Sequence, residues 1–194
     1  MADPAQGDPL GAQGSGLWLA RHGRTAYNDE GRFQGWSDVP LDALGREQAQ
    51  VLALAVARVA PMLLVASPLT RAAQTAAIVG AHVGLEAVVD ERFAETDAGE
   101  WTHRSFAEVT AEDPDGFARF MALDLDWGFP GGERFADQHA RVLAGVADWR
   151  ARAVDGGPIV VICHANVIRL ALTPPGTLPQ EIPGRPENGS LVAL

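Results

Sequence analysis

The sequence Leu17-Trp18-Leu19-Ala20-Arg21-His22-Gly23-Arg24-Thr25 begins as a short apolar run and ends in a group of polar side chains. An apolar run of this length is typical of a buried strand, predicted here over Leu17–Ala20. Four further runs of strand length follow it: Met62–Ala66, Ala87–Val89, Ile159–Cys163 and Leu191–Leu194. Longer segments with apolar residues at helical spacing separate these runs. The alternation predicts an α/β fold, a three-layer α/β/α sandwich with a mostly parallel central sheet.

The helix after the second run has a recognisable start. Ser67-Pro68 predicts an N-cap followed by proline at the first helical position, and apolar residues continue at helical spacing to Val83. Arg71 is therefore predicted in the first turn of this helix. An earlier apolar stripe, which includes Leu44 and Val51, predicts a helix between the first two strands. Further helices are predicted over 104–112, 115–123, 133–153 and 166–172.

Length and composition indicate one globular domain with an N-terminal extension. The chain has 194 residues, of which 47% are hydrophobic and 21% charged, a balance typical of a single domain with a buried core. Residues 1–16 are rich in Asp, Pro and Gly and have few apolar side chains. They are expected to form a flexible tail, and residues 17–194 are expected to form the single domain.

The net charge of −10 excludes some classes of partner. An acidic protein repels polyanions at long range, so binding to nucleic acid or to an acidic membrane surface is not expected. No stretch approaches the roughly 18 apolar residues of a membrane span, and the N-terminus lacks the features of a signal peptide. The single cysteine, Cys163, fits a reducing compartment. The sequence therefore predicts a cytoplasmic protein.

Histidine and arginine residues follow three of the predicted strands. Arg21 and His22 come directly after the first strand, His164 follows the fourth, and Arg71 begins the helix after the second. Because ligands of an open α/β sheet bind beyond the carboxyl ends of its strands, these side chains are expected to meet at one edge. Taken singly, such histidines are more often structural and such arginines solvated. Their joint position predicts a site for an anion.

Eight segments of the chain resemble motifs of the histidine phosphatase superfamily, which includes cofactor-dependent phosphoglycerate mutases and many small-molecule phosphatases. The most specific is Leu19–Asn28, in which Arg-His-Gly is followed by Thr and Asn. The others keep the family's order: Gly31–Trp36, Asp38–Leu41, Leu44–Ala49, Ser67–Ala76, Phe93–Trp101, Pro130–Glu133 and Val160–Arg169. The resemblance spans residues 17–194 and implies a single catalytic domain.

The resemblance also implies roles for the candidate residues. His22 is expected to attack phosphorus and to become a phosphohistidine. The planar guanidinium groups of Arg21 and Arg71 are expected to hold phosphoryl oxygens, because they stay charged and can form two hydrogen bonds at once. Asn28 and His164 are expected to donate further hydrogen bonds to the same oxygens.

Glu95 is expected to be the general acid and then the general base. Its alternative is a solvated carboxylate beside Asp97 and Glu100. The function predicted is a metal-independent phosphomonoesterase that hydrolyses small phosphorylated metabolites through a phosphohistidine, with no cofactor. Small metabolites are the only partners expected, apart from a second copy of the chain, because a homodimer is left open.

The sequence departs from the family pattern in three places. Trp101-Thr102-His103 stands where relatives have Trp-Glu-Gly, Ala165-Asn166 replaces two small residues, and the chain beyond Ala171 is rich in proline. His103 is either a surface residue, the preferred interpretation, or part of a specificity pocket. Four aromatic residues either form an apolar wall for the leaving group or pack in the core: Trp36, Trp101, Trp127 and Phe129.

Several rival interpretations stay open. A phosphoglycerate mutase-type phosphoryl transferase would use the same histidine, but the segment between Glu95 and Pro130 is short for a mutase. A non-catalytic phosphate-binding module would keep the phosphate pocket but would not turn over any ester. Cys163 and Arg169 have the Cys-x5-Arg spacing of a cysteine phosphatase, without the glycines of its loop. Asp124-Leu125-Asp126 resembles an aspartyl-phosphate motif, but no apolar strand precedes it.

Overall fold

Five strands form one sheet at the centre of the protein. A computed structural model describes residues 16–174 and 183–194. The strands are β1 (Leu17–Arg21), β2 (Leu63–Ala66), β3 (Ala87–Val89), β4 (Ile159–Cys163) and β5 (Leu191–Ala193). They lie in the order β3-β2-β4-β1-β5, with β5 antiparallel to β1 and every other pair parallel. The predicted mostly parallel sheet is therefore confirmed.

Helices cover both faces of this sheet. In the described residues they are α1 (Ala26–Asp29), α2 (Ala43–Val59), α3 (Thr70–Val83), α4 (Phe106–Glu112), α5 (Pro114–Met121), α6 (Phe135–Gly156) and α7 (Ala165–Ala171). Val160 and Ile162 of β4 pack with α2 and α3, whereas Val161 and Cys163 pack on the opposite face with α6 and α7. Burial on both faces explains the unbroken apolar run of β4. The three-layer prediction is confirmed.

The helix after β2 begins later than predicted. Ser67 is not its N-cap, because α3 begins at Thr70 with Leu69 in the capping position. The Ser67 hydroxyl is instead hydrogen-bonded to Nε2 of His164, and the Ser67 N–H donates to the carbonyl of Ile162 in β4. Ser67 thus belongs to the end of the sheet rather than to the helix. Arg71 still lies in the first turn, as predicted.

The other predicted elements agree with the structure to within three residues at their ends, whereas the short helix α1 was not predicted. Of the tail expected over residues 1–16, only Gly16 lies among the described residues, and its carbonyl accepts a hydrogen bond from the N–H of Ile159. No helix within residues 16–174 and 183–194 combines the length and the apolar character that spanning a membrane requires.

The loop after β1 lies in close contact with the start of α2. The backbone N–H of Arg24 donates to Oε1 of Gln48 at 2.8 Å, and the N–H of Gly23 donates to Oγ1 of Thr75 in α3 at 3.1 Å. A Cβ atom on Gly45 would overlap the backbone of Arg24. Glycine at position 45 therefore allows α2 to fix the loop that begins with His22.

A Gly45→Ala substitution is expected to lower the free energy of unfolding by about 1–3 kcal/mol, because the new methyl group meets backbone that cannot move aside. Gly156→Ala is the matched control. Gly156 is also helical, but a Cβ there meets no atom within 4 Å, so alanine should raise stability by about 0.4–1 kcal/mol. Urea unfolding followed by circular dichroism measures both. Equal effects would contradict the close contact at position 45.

Candidate active site

The two histidines predicted at strand ends lie side by side. Strands β1 and β4 are parallel neighbours with Arg21 opposite Cys163, so the residues that follow them, His22 and His164, leave the sheet at the same edge. Their ring centroids are 5.1 Å apart, and both side chains are buried. The sheet register alone therefore brings these two imidazoles together.

The imidazole of His22 is held in one tautomer. Its Nδ1 lies 2.6 Å from the carbonyl oxygen of Gly23. Because a carbonyl oxygen can only accept, Nδ1 carries the proton and the lone pair is on Nε2. Burial lowers the pKa of His22 well below its ordinary value, and the charges of Arg71 and Arg21 lower it further. The ring is therefore neutral at neutral pH, which is the form in which histidine acts as a nucleophile.

Two buried arginines lie beside His22. Arg21 donates from Nη1 to the carbonyl oxygen of Pro186 at 2.6 Å, and Arg71 donates to carbonyl oxygens of the loop 35–37 at 2.9 and 3.3 Å. Burial lowers the pKa of each guanidinium to about 10, so both remain charged at neutral pH. The Nε atoms of both are buried and have no hydrogen-bond partner among the described residues.

His164 contributes a third nitrogen of this kind. Its Nε2 lies 2.7 Å from Oγ of Ser67. In the tautomer in which the Ser67 hydroxyl donates to Nε2, the proton of the neutral ring is on Nδ1. Burial lowers the pKa of His164 well below its ordinary value, and the charge of Arg71 adds to this effect. Nδ1 is buried and unpartnered within residues 16–174 and 183–194. Buried donors without acceptors are costly, so the arrangement indicates a site for a group with several acceptor atoms.

Asn28 places an amide donor in the same pocket. Its Oδ1 accepts hydrogen bonds from the N–H and the hydroxyl of Thr25, both at 3.1 Å, and from Nδ2 of Asn188 at 3.2 Å. Because Oδ1 is occupied, Nδ2 is the group left to donate toward a ligand in the pocket that Asn28 lines. Asn188, which the sequence did not single out, also donates to the carbonyl oxygen of His22 at 3.0 Å.

Arg141 fixes the backbone that carries Glu95. Its guanidinium donates to the carbonyl oxygens of Arg92, Ala94 and Glu95 at 2.8, 2.7 and 3.1 Å. The same group forms two hydrogen bonds of 2.7 Å with the carboxylate of Glu133. Glu133 belongs to the segment that resembles the family's Pro-Gly-Gly-Glu turn. Through Arg141, this turn therefore helps to fix the backbone that carries Glu95.

The Glu95 carboxyl group is oriented by a chain of hydrogen bonds. Its Oε1 accepts from the N–H of Thr96 at 3.0 Å and from Nε2 of Gln138 at 3.4 Å. The Thr96 hydroxyl donates to Oε1 of Gln138 at 2.5 Å and accepts from Nδ2 of Asn166 at 3.2 Å. Because Oε1 is engaged as an acceptor, a proton on this group is favoured on Oε2. None of Thr96, Gln138 and Asn166 was predicted as a site residue.

All of the predicted site residues except His164 line one pocket, the inner pocket. They are His22, Asn28, Glu95, Arg21 and Arg71, and Thr96 and Asn166 line the pocket as well. A second, outer pocket adjoins the inner one, because several residues line both: Arg21, Asn28, Arg32, Phe106 and Arg185. Arg185, from the proline-rich C-terminal segment, was also not predicted.

Phenyl rings form the apolar wall of the inner pocket. They are Phe33, Phe106, Phe120 and Phe129, and they pack edge to face or tilted against one another. Of the four aromatic residues considered from the sequence, only Phe129 lines the pocket. Trp101 and Trp127 pack in the core, and Trp36 is 54% exposed, with its indole N–H donating to the carbonyl oxygen of Glu95.

His103 lies on the surface, as preferred from the sequence. Its side chain is exposed, and its Nδ1 is 2.9 Å from the hydroxyl of Tyr27, a residue of the outer pocket. The backbone of His103 has φ of 72°, in the left-handed region that favours glycine. This conformation explains why the family pattern has glycine at the corresponding position.

The rival nucleophiles lie away from the pocket. Cys163 is fully buried in the core cluster between the sheet and α6, and burial raises the pKa of its thiol well above the ordinary range. A buried neutral thiol is not a nucleophile. Asp124 pairs with Arg119 at 2.7 Å and accepts from the N–H of Asp126, so this loop holds itself together outside the site. The described residues contain no group of three or more His, Cys, Asp or Glu side chains arranged to hold a metal ion.

Comparisons with known proteins show which family and which relatives the chain resembles. A model of the histidine phosphatase superfamily (branch 1) matches residues 17–193. A glucosyl-3-phosphoglycerate phosphatase of Mycolicibacterium vanbaalenii is 37% identical over 159 residues, which cover 78% of this chain and 70% of that protein. A probable phosphoglycerate mutase of an Enterobacter species is 34% identical over 146 residues, which cover 75% of this chain and 67% of that protein. The structure of a mycobacterial glucosyl-3-phosphoglycerate phosphatase with VO3 has a TM-score of 0.81 and 33% identity, with 90% of each chain covered.

Proposed function

Because the chain belongs to the histidine phosphatase superfamily, we propose that it hydrolyses phosphate monoesters of small metabolites through a phosphohistidine formed at His22. The comparisons confirm the predicted family and the predicted class of enzyme, a phosphatase. The covalent route and the roles of individual residues are supported by the geometry of the site.

One observation carries the proposal. Three buried nitrogens without partners among the described residues belong to side chains that neighbour the neutral ring of His22: Nε of Arg21, Nε of Arg71 and Nδ1 of His164. A phosphoryl group has oxygens to accept from all three, and each hydrogen bond to it is strengthened by its charge. Two permanent cations also reduce the repulsion between the phosphate dianion and an incoming nucleophile.

In the first step, the lone pair on Nε2 of His22 forms a bond to phosphorus. The bond between phosphorus and the ester oxygen breaks, and its electrons stay on that oxygen. Glu95 supplies a proton to the departing oxygen from Oε2, so an alcohol leaves instead of an alkoxide. The Gly23 carbonyl that accepts from Nδ1 stabilises the positive charge that develops on the ring.

In the second step, water occupies the place of the alcohol. The Glu95 carboxylate takes one proton from this water while its oxygen bonds to phosphorus. The bond between phosphorus and Nε2 breaks, and its electrons return to the ring. Inorganic phosphate leaves, and His22 and Glu95 are restored to their starting protonation states. The two steps together consume one water and release one alcohol and one phosphate.

A direct assay tests the proposal. Purified protein is incubated with p-nitrophenyl phosphate and with glycerol 3-phosphate, and phosphate release is measured without added metal and with a chelator. Turnover of both esters is expected. A folded protein that binds phosphate but turns over no ester would be a binding module instead.

The mutase remains the second candidate, because one relative is a probable phosphoglycerate mutase. Both reactions would begin with phosphorylation of His22, and they differ in whether water or a second hydroxyl group accepts the phosphoryl group. Hydrolysis of phosphoglycerate is expected to exceed its isomerisation. Faster exchange of phosphate between the 3- and 2-positions, followed by nuclear magnetic resonance, would favour the mutase.

A Cys163→Ala substitution is expected to leave kcat within about twofold of the unaltered enzyme, because the thiol is buried, neutral and outside the pocket. Release of p-nitrophenol measures the rate, and thermal unfolding separates a loss of folded protein from a loss of chemistry. A decrease in kcat as large as that caused by removing His22 would instead favour a cysteine phosphatase with Cys163 as the nucleophile.

The expected location and partners are part of this proposal. A cytoplasmic enzyme that acts on free metabolites fits the single buried cysteine and the net charge of −10. Neither nucleic acid nor membrane is expected to bind. Light scattering coupled to size-exclusion chromatography decides between monomer and homodimer.

A further inference from the structure

Ser67 and His164 leave the sheet side by side, at the edge that carries the site. Strands β2 and β4 are parallel neighbours with Ala66 opposite Ile162. Ser67 directly follows β2, and its N–H donates to the carbonyl oxygen of Ile162 at 2.9 Å. His164 directly follows β4, and its Nε2 lies 2.7 Å from Oγ of Ser67. Both side chains are fully buried. The sheet therefore fixes this contact in a place where bulk water does not compete for it.

The surroundings of the Ser67 hydroxyl decide where its proton points. The oxygen accepts a hydrogen bond from the N–H of Leu69 at 3.3 Å. A backbone N–H can only donate, so Leu69 offers no acceptor to the hydroxyl proton. Within residues 16–174 and 183–194, Nε2 of His164 is the only other group within hydrogen-bond distance of Oγ. Because a buried hydroxyl that donates to nothing is costly, its proton is expected to point to Nε2.

The ring of His164 has one proton to place on two nitrogens. The ring is neutral, because burial lowers its pKa well below the ordinary value and the charge of Arg71 lowers it further. If Nε2 accepts from Ser67, the proton is on Nδ1. Nδ1 is buried and has no partner in the described part of the chain, and the ring centroid lies 5.1 Å from that of His22. A phosphoryl group bonded to His22 would therefore meet a donor in this tautomer and a repelling lone pair in the other.

We infer that Ser67 is a positioning residue, whose hydroxyl selects the Nδ1–H tautomer of His164 and so makes that ring a hydrogen-bond donor to the phosphoryl group. The consequence for catalysis rests on the proposed function, whereas the tautomer can be measured without any substrate. Ser67 lines neither pocket, so it acts through His164. His22 offers a comparison within the same site, because the backbone carbonyl of Gly23 sets its tautomer.

Nuclear magnetic resonance of protein in which histidine is labelled with nitrogen-15 tests the tautomer directly. Long-range correlations between ring nitrogens and carbon-bound ring protons distinguish the two neutral forms, and a His164→Ala spectrum identifies the signals of His164. The unaltered protein is expected to carry the ring proton on Nδ1 of both His22 and His164. In Ser67→Ala, His164 should populate both tautomers while His22 keeps one. Ser67→Thr retains the hydroxyl and should restore the Nδ1–H form.

Hydrolysis of p-nitrophenyl phosphate measures the consequence for catalysis. Ser67→Ala is expected to lower kcat/KM by about 3- to 10-fold, because only the fraction of molecules in the donor tautomer is competent. His164→Ala should lower kcat/KM by about 10- to 100-fold, because it removes the donor altogether. Adding Ser67→Ala to the His164→Ala protein should change kcat/KM by less than about twofold, since no ring is left to orient. If Ser67→Ala does not fold, Ser67→Cys replaces it, because a thiol is a weak donor and should shift the tautomers in the same direction.

Thr110→Ala is the matched control. It removes an exposed hydroxyl of α4 from a residue that lines neither pocket, so it should change neither the tautomers nor the rate. A proton on Nε2 of His164 in the unaltered protein would overturn the inference, and so would an unchanged tautomer after Ser67 is replaced. An equal loss of kcat/KM from Ser67→Ala with and without His164 would also overturn it, because the effect would then be structural. The expected tautomers in a protein that hydrolyses no ester would instead reject the proposed function.

Discussion

Replacing His22 by alanine is expected to lower kcat/KM for every phosphate ester by about 10⁴- to 10⁶-fold, because the substitution removes the atom that bonds to phosphorus. Phosphate binding should persist, since Arg21, Arg71 and Asn28 hold the anion through groups that do not depend on the ring. Phosphate release from p-nitrophenyl phosphate and glycerol 3-phosphate measures the loss. Inhibition of the unaltered enzyme and isothermal titration of the variant compare their affinities for inorganic phosphate.

His82→Ala is the control for this experiment. His82 is exposed in the last turn of α3 and lines neither pocket, so its removal should leave the rate unchanged. A second readout detects the covalent intermediate itself. Enzyme quenched in alkali during turnover should carry a phosphoryl group on the peptide that contains His22, and this group should be lost in acid. A phosphoryl group on another residue, or more than a tenth of the activity left in His22→Ala, would reject the mechanism.

The position of His22 and His164 could be predicted from sequence because it depends on few facts. Each residue directly follows a buried strand, and parallel strands end at the same edge of a sheet. The register that pairs Arg21 with Cys163 then places the two rings together. Arg71 follows the same rule through the helix after β2. The motif around each histidine is a local run of sequence, and the meeting of the two histidines depends only on how two strands pair. Sequence patterns predict both kinds of property well.

The support of Glu95 could not be predicted in the same way. Arg141 and Gln138 lie on α6, whose own sequence shows only the period of an amphipathic helix. Their contacts with residues 92–96 depend on where α6 packs against the loop after β3, a tertiary arrangement without a local signal. Arg185 is similar, because its segment has no strand or helix pattern and is positioned by contacts such as that with Phe106.

The apolar stripe predicted for α2 was partly wrong for a physical reason. Leu44 and Val51 are 40% and 67% exposed, whereas the buried face contains Gly45, Ala49 and Ala53. Close approach between α2 and the loop after β1 requires glycine at position 45, and small side chains contribute little to a hydrophobic period. The hydropathy pattern of α2 therefore does not reveal that this face of small residues is the buried one.

Glu95→Gln is expected to separate the two halves of the reaction. With an alkyl ester such as glycerol 3-phosphate, loss of the acid should lower kcat by about 10²- to 10⁴-fold, because the alkoxide leaves without a proton. With p-nitrophenyl phosphate the leaving group is stable as an anion, so His22 should still be phosphorylated quickly. The variant then lacks the base for the second step. A burst of one p-nitrophenol per active site should therefore precede slow turnover.

Glu100→Gln tests whether any carboxylate of this acidic segment would serve. Glu100 is exposed and lines neither pocket. Its replacement should therefore leave the hydrolysis rates of both esters unchanged and should produce no burst. The hydrogen bonds of Thr96 and Gln138 to Oε1 make the glutamine a fair replacement, because its amide oxygen can accept them in the same place. A Glu95→Gln enzyme that turns over both esters at the original rate would show that Glu95 is a solvated carboxylate. An equal loss of kcat with both esters, without a burst, would instead assign Glu95 a role in binding. A general acid should matter more for the alkyl ester than for the p-nitrophenyl ester, because only the alkyl leaving group needs a proton.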